Sequence, residues 1–251
     1  MRYQLLPFFL FFASPFPSLL EAVSEISVIS KIPHQLPAYT QGLAFENDRL
    51  YESTGLYKHS SLRILDPITG KIVHHHPLAQ DLFAEGIAVF DDSIIQLTWK
   101  NQTALVYTLF EHKLKHTLSY KGEGWGLCRD GNTVWMSNGT ATLLQRDALT
   151  FQPIRSIIVH RENIPVAFLN DLECVENELF ANVWLTNYIL RINKSTGEVI
   201  DTIDASALLT PSEQAKLGKE DVLNGIAFCK KTNSFYITGK EWPWIFEVRF
   251  K

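Results

Sequence analysis

Five stretches of the chain look alike, and their spacing limits the fold more than any other feature. They read QGLAFEND from Gln41, EGIAVFDD from Glu85, WGLCRDGN from Trp125, NDLECVEN from Asn170 and NGIAFCKK from Asn224. Their starts lie 44, 40, 45 and 54 residues apart. A period of forty-odd residues is that of a four-stranded propeller blade. Each stretch opens on a polar or aromatic residue and continues with Gly, or with Asp in the fourth. An apolar strand and a polar turn follow.

A second strand comes next in every unit: RLYESTG, SIIQLTW, TVWMSNG, ELFANVW and SFYITGK. Third and fourth strands follow, joined in RILDPITGKIVHH and RINKSTGEVIDTI by a Thr-Gly turn. The glycine there supplies the positive φ of a hairpin loop. LVYTLFEHKLKHTLSY and LLQRDALTFQPIRSIIV are looser copies. The last unit stops after its third strand, WIFEVRF, and the missing strand is available near the chain start in EISVISKIP. The expected fold is therefore all-β, a five-bladed β-propeller closed by pairing of N- and C-terminal strands, which removes open edges. ASALLTPSEQAKLGKEDV, before Asn224, carries a helix-start pattern and reads as a short helical insertion on one face.

The first segment, MRYQLLPFFLFFASPFPSLLEA, has one early cation, Arg2, then an apolar run broken by Pro15 and Pro17. It is too short and kinked for a membrane span and reads as a secretory signal peptide cleaved near Ala22. Residues 1–22 are then the signal and 23–251 the propeller domain. The expected location is secreted or periplasmic, as a monomer with no stable membrane anchor after cleavage. With 23 basic and 27 acidic residues and no basic run, nucleic acid is not an expected partner. Cys128, Cys174 and Cys229 lack CxxC spacing and leave one thiol unpaired in any scheme. They read as small apolar fillers of separate strands, ahead of a disulfide and of a catalytic thiol.

In a propeller the first strand of each blade lines the central channel. The repeat-start residues, Gln41, Glu85, Trp125, Asn170 and Asn224, are expected to converge on one mouth. Fourteen residues further on stand Gly55, Trp99, Gly139 and Trp184, and the equivalent position of the fifth unit, whose turn is longer, is Lys240. A carboxylate, an ammonium, three indoles and several carboxamides then meet on one face. Apolar walls with few polar groups are the usual form of a small-ligand site. A structural repeat needs glycine and apolar residues at these places, not Glu, Lys and Trp.

Other features read as structural. Neighbours on a strand point to opposite faces, so His74, His75 and His76 cannot all turn to one ion. Glu123 could join the pocket but reads better as a turn cap. Asp66 and the Asp91–Asp92 pair suggest a structural calcium, but turns explain them as well. Trp242 and Trp244 fit core packing. Asn101, Asn138 and Asn193 begin glycosylation sequons, which matter only in a eukaryotic source.

YTQGLAF, EGIAVFDDSIIQLTWK, EGWGL, NDLECVENELFANVW, NGIAF and TGKEWP, in this order and spacing, resemble the glutamine cyclotransferase family of plant and bacterial type. The resemblance runs from about Val28 to Phe250. It implies a five-bladed propeller that acts without a catalytic metal or other cofactor on peptides or proteins with an N-terminal glutamine. The implied reaction is closure of that glutamine to pyroglutamate with loss of ammonia. Carried over by motif, the catalytic acid matches Glu85. The pocket aromatics match Trp99, Trp125 and Trp184. The polar pocket residues match Gln41, Asn170 and Lys240. By their own chemistry, Lys240 and Asn170 are expected to donate to the oxygen that gains charge. Tyr39 stands where the family commonly has Phe, and Phe83 keeps the aromatic before the acid. Asp171 stands where the family has Glu. Two rival readings are a secreted propeller that only binds peptides or proteins, and a lactonase-like hydrolase. The hydrolase needs a carboxylate-rich metal site, and the repeat-start ring holds one carboxylate.

Overall fold

The computed structural model describes residues 23–251. The signal-peptide reading of residues 1–22 lies outside the described residues. Among those described, no helix is long and apolar enough to cross a membrane.

The expected ring is present. Blade 1 contains Thr40–Glu46, Arg49–Thr54, Ser61–Leu65 and Ile72–Pro77, paired in that order. Blades 2 and 3 repeat the pattern, with inner strands Ala84–Val89 and Leu127–Asp130. Blade 4 starts with Leu169–Val175 and carries Val23–Ser24 as an added parallel edge on its outer strand. Blade 5 consists of Leu223–Cys229, Ser234–Gly239 and Trp244–Phe250, and Ile26–Pro33 supplies its fourth strand. Val28 pairs with Val248 and Ile32 with Ile245, so the two chain ends close one sheet.

Apolar alternation along the strands fills the spaces between blades. Five buried clusters each bridge two neighbouring blades, and the last joins blade 5 to blade 1 through Ile245, Leu43 and Leu65. Trp242 is buried in the cluster between blades 4 and 5, and Trp244 packs against it. At ~25 cal/mol per Å² of apolar surface removed from water, such interfaces dominate the stability of the ring. The insertion forms one helical turn, Pro211–Gln214, with a capping box of Thr210 and Glu213. Trp244 Nε1 and Lys31 both reach Glu213 and hold this turn against blade 5.

Gly42, Gly86 and Gly126, which follow the first three repeat-start residues, have a packing reason. A Cβ on Gly42 would stand 2.8 Å from the Gly86 backbone, and one on Gly126 would stand 2.0 Å from the Asn170 carbonyl oxygen. Neighbouring inner strands approach too closely there for any side chain. Blade 4 departs from the rule and uses the difference. Buried Asp171 Oδ2 accepts the N–H groups of Leu43 at 3.1 Å and Ile226 at 3.0 Å, tying blade 4 to blades 1 and 5.

The same close approach corrects the reading of the cysteines as separate thiols. Cys128 and Cys174 form a disulfide between the inner strands of blades 3 and 4, with Cα atoms 5.6 Å apart. Cys229 remains free and buried. The histidine run alternates as expected, with His75 exposed between half-buried His74 and His76. Asp66 caps its own turn through the N–H groups of Ile68 and Thr69, and Asp91 pairs with Arg129 at 2.9 Å.

Candidate active site

The inner strands place the repeat-start side chains by a shared device. Strand register slips between Thr40 and Gly42, between Ala84 and Ile87, between Leu169 and Leu172, and between Leu223 and Ile226. Gln41, Glu85, Asn170 and Asn224 each sit in one of these bulges. A bulge re-aims a side chain and is frequent beside active sites. In blade 3 the regular strand starts only at Leu127, and Trp125 is held through its backbone by Ser137 and Gly86.

All of the repeat-start residues but Asn224 line a cavity of about 270 Å³. Gln41, Glu85, Trp125 and Asn170 reach it from the first ring, and Trp99, Trp184 and Lys240 from the second. Tyr39 and Phe83 complete the expected set, so all nine residues chosen from the sequence line one space. Asn224 does not reach the cavity. It lies fully buried below, donating to the Thr40 carbonyl at 3.0 Å and to Gln41 Oε1 at 3.4 Å.

The wall also contains two residues that the sequence did not single out. Leu56 follows the second strand of blade 1, and Glu220 comes from the insertion, where it accepts the Tyr39 hydroxyl at 3.4 Å. Neither occupies a repeat position, so periodicity carried no signal for them.

Glu123 requires a correction. It does not cap a turn: its Oε2 accepts the indole N–H of Trp99 at 2.8 Å and of Trp125 at 3.1 Å. One carboxylate thus fixes two walls of the cavity. Trp125 meets Trp184 edge-to-face with centroids 5.6 Å apart, and Phe83 lies 5.5 Å from Trp99. The glycines of the second ring leave room for these aromatics. A Cβ on Gly139 would be 2.7 Å from the Trp125 ring, and one on Gly55 would be 2.5 Å from Phe83.

The polar groups are buried and few. Glu85 is 4% exposed and Lys240 3% exposed. Burial pushes the Glu85 carboxyl well above the usual carboxylate range, against the opposing pull of the Lys240 charge and the Gln41 hydrogen bond. Burial likewise lowers Lys240, against Glu85, Glu220 and Asp221. The Lys240 ammonium also lies 4.8 Å from the centre of the Tyr39 ring. Gln41 Nε2 donates to Glu85 Oε1 at 2.9 Å. Asn170 Oδ1 is buried without a partner. An orphaned acceptor on a cavity wall is suited to a ligand donor, because leaving it unmet costs roughly 1–3 kcal/mol. Among the described residues, no group of three or more His, Cys, Asp or Glu is placed to hold a metal ion.

The family model for glutamine cyclotransferase matches residues 13–250. The chain belongs to the glutamine cyclotransferase family. A glutaminyl-peptide cyclotransferase of Arabidopsis thaliana is 36% identical over 231 residues, covering 91% of this chain and 72% of the relative. The crystal structure of Myxococcus xanthus glutaminyl cyclase superposes with a TM-score of 0.85 at 33% identity, covering 92% of this chain and 98% of that one. In this member of the glutamine cyclotransferase family, Asp171 serves the blade-to-blade clamp described above. Asp171 does not line the cavity, but its charge is among those that push Glu85 up.

Proposed function

We propose that this protein cyclises the N-terminal glutamine of peptides and proteins, releasing ammonia and leaving pyroglutamate. The observation that carries the reading is that buried Glu85 and buried Lys240 line one cavity walled by three indoles. Family membership and the named relatives support the same chemistry.

The substrate's α-ammonium has an unperturbed pKa of roughly 7.7–8.0, so a modest base frees the nucleophile. Glu85 takes that proton as the nitrogen attacks its own side-chain carboxamide carbon. It then passes a proton to the departing amide nitrogen, which leaves as ammonia. The raised carboxyl suits both halves of this transfer. Lys240 and the Asn170 amide stabilise the oxygen that gains charge in the tetrahedral intermediate. The orphaned Asn170 Oδ1 accepts an N–H of the substrate. Trp99, Trp125 and Trp184, with Tyr39 and Phe83, hold the glutamine curled and exclude competing water. No step uses a metal or cofactor.

The Cys128–Cys174 disulfide supports the reading of residues 1–22 as an export signal, since such bonds persist in oxidising compartments. Ring closure within one chain supports a monomer. The test is ammonia release from an N-terminal glutamine peptide, with and without chelator. Equal release in both is expected. Loss of release with chelator would contradict the metal-free chemistry, and none in either would contradict the reaction.

A further inference from the structure

A second cavity, of about 340 Å³, opens beside the reaction pocket. Tyr39 and Leu56 line both and form the wall between them. Pro37, Thr54, Gly55 and Pro77 are among its lining residues, as are exposed Lys58 and His59. Exposed His75 also lines it, with burial and the Arg63 charge disfavouring its protonated form. Its two remaining charges, Arg63 and Glu241, are engaged. Arg63 donates to the carbonyls of Gln35 and Pro37 and stands 3.7 Å from buried Glu52. Glu241 accepts the Ala38 N–H at 3.2 Å.

Three residues around it hold left-handed backbone without being glycine: Leu56 at φ 84°, Lys58 at φ 71° and Glu241 at φ 55°. A bulky residue such as leucine is a marked outlier there. Strain of this kind collects at ligand clamps, where surrounding structure holds it. Here it keeps Leu56 in the dividing wall.

A glutamine with both its amine and its side chain in the reaction pocket leaves by one route, its carbonyl carbon. The residue after it must lie at the rim. We propose that the second cavity receives the side chain of that second residue and favours an uncharged apolar one, leucine or phenylalanine over glycine or glutamate. The proposal rests on the cyclase reading.

It is tested by kcat/KM for the peptides Gln-Gly-Ala, Gln-Leu-Ala, Gln-Phe-Ala and Gln-Glu-Ala. Leu and Phe should exceed Gly by about tenfold or more, the discrimination that a few buried methylenes give. Glu should not exceed Gly. His59→Trp and Pro77→Trp, which each fill the cavity from outside the reaction pocket, should bring Leu and Phe down to the Gly value with Gly unchanged. Either variant suffices if the other does not give the wild-type melting curve. Equal kcat/KM for all four peptides would overturn the subsite while leaving the reaction intact. So would a preference that survives a folded variant. No turnover of any peptide would overturn the cyclase reading itself.

Discussion

Gln41 and Glu85 stand on the bulges of adjacent blades, and the Gln41 carboxamide donates to Glu85 Oε1 at 2.9 Å. Asn224 holds Gln41 from the other side at 3.4 Å. A line of amides from blade 5 therefore orients one carboxylate oxygen in blade 2 and leaves Oε2 for substrate. The pH dependence follows from this pair. In the proposed mechanism Glu85 must be ionised to take the amine proton, so kcat/KM should fall as pH drops through its raised pKa. The acid limb should lie well above roughly 4.3, the ordinary glutamate value. The Gln41 hydrogen bond favours the ionised form, so Gln41→Ala should move the limb to higher pH. A pH–rate profile with the limb unmoved would detach Gln41 from Glu85.

In the proposed mechanism Lys240 acts on the oxygen, whereas Glu85 acts on the protons. Lys240→Ala should lower kcat by about 10²–10³, as loss of one oxyanion donor does, with a smaller change in KM. Burial lowers Lys240, so the wild-type alkaline limb should fall below the ordinary lysine value of roughly 10.4. Steady-state kinetics across pH read both effects. Unchanged kcat would remove Lys240 from the reaction.

Glu123 holds two indoles without itself lining the cavity. Glu123→Ala should cost about 10–10² in kcat/KM through misplaced walls, with the melting curve nearly unchanged. Tryptophan fluorescence should shift, because the two indoles lose a charged partner. Full activity with shifted fluorescence would show that the tether does not serve positioning.

The Cys128–Cys174 bond closes a separation of 46 residues. By loop entropy, a loop of this size gives about 4 kcal/mol. A Cys128→Ser, Cys174→Ser double variant should melt at distinctly lower temperature, whereas Cys229→Ser should leave disulfide-linked peptides unchanged in a non-reducing digest. Free Cys128 in that digest would contradict the pairing.

Much of this was legible in the sequence, for stated physical reasons. Period and hairpin chemistry are local, so blade number, strand order and the closing role of Ile26–Pro33 could be read directly. Equivalent positions in successive blades, with the longer turn of the fifth allowed for, placed Glu85 and Lys240 on one cavity across 155 residues. What escaped lies outside the period. Glu220 sits on an insertion with no counterpart in other blades. Glu123 and the disulfide depend on how near neighbouring inner strands come, which follows from contacts such as Gly126 against Asn170 and not from offsets. Bulges were invisible because Gln-Gly, Glu-Gly and Asn-Asp read equally well as regular strand.

The central claim is that Glu85 closes the glutamine ring. It is tested most directly by mass spectrometry of an N-terminal glutamine peptide incubated with wild type and with Glu85→Gln in parallel. Wild type should convert the peptide to a product lighter by one ammonia. Folded Glu85→Gln should be slower by about 10²–10⁴, the contribution of a positioned acid–base group. Conversion by Glu85→Gln at the wild-type rate would contradict the claim.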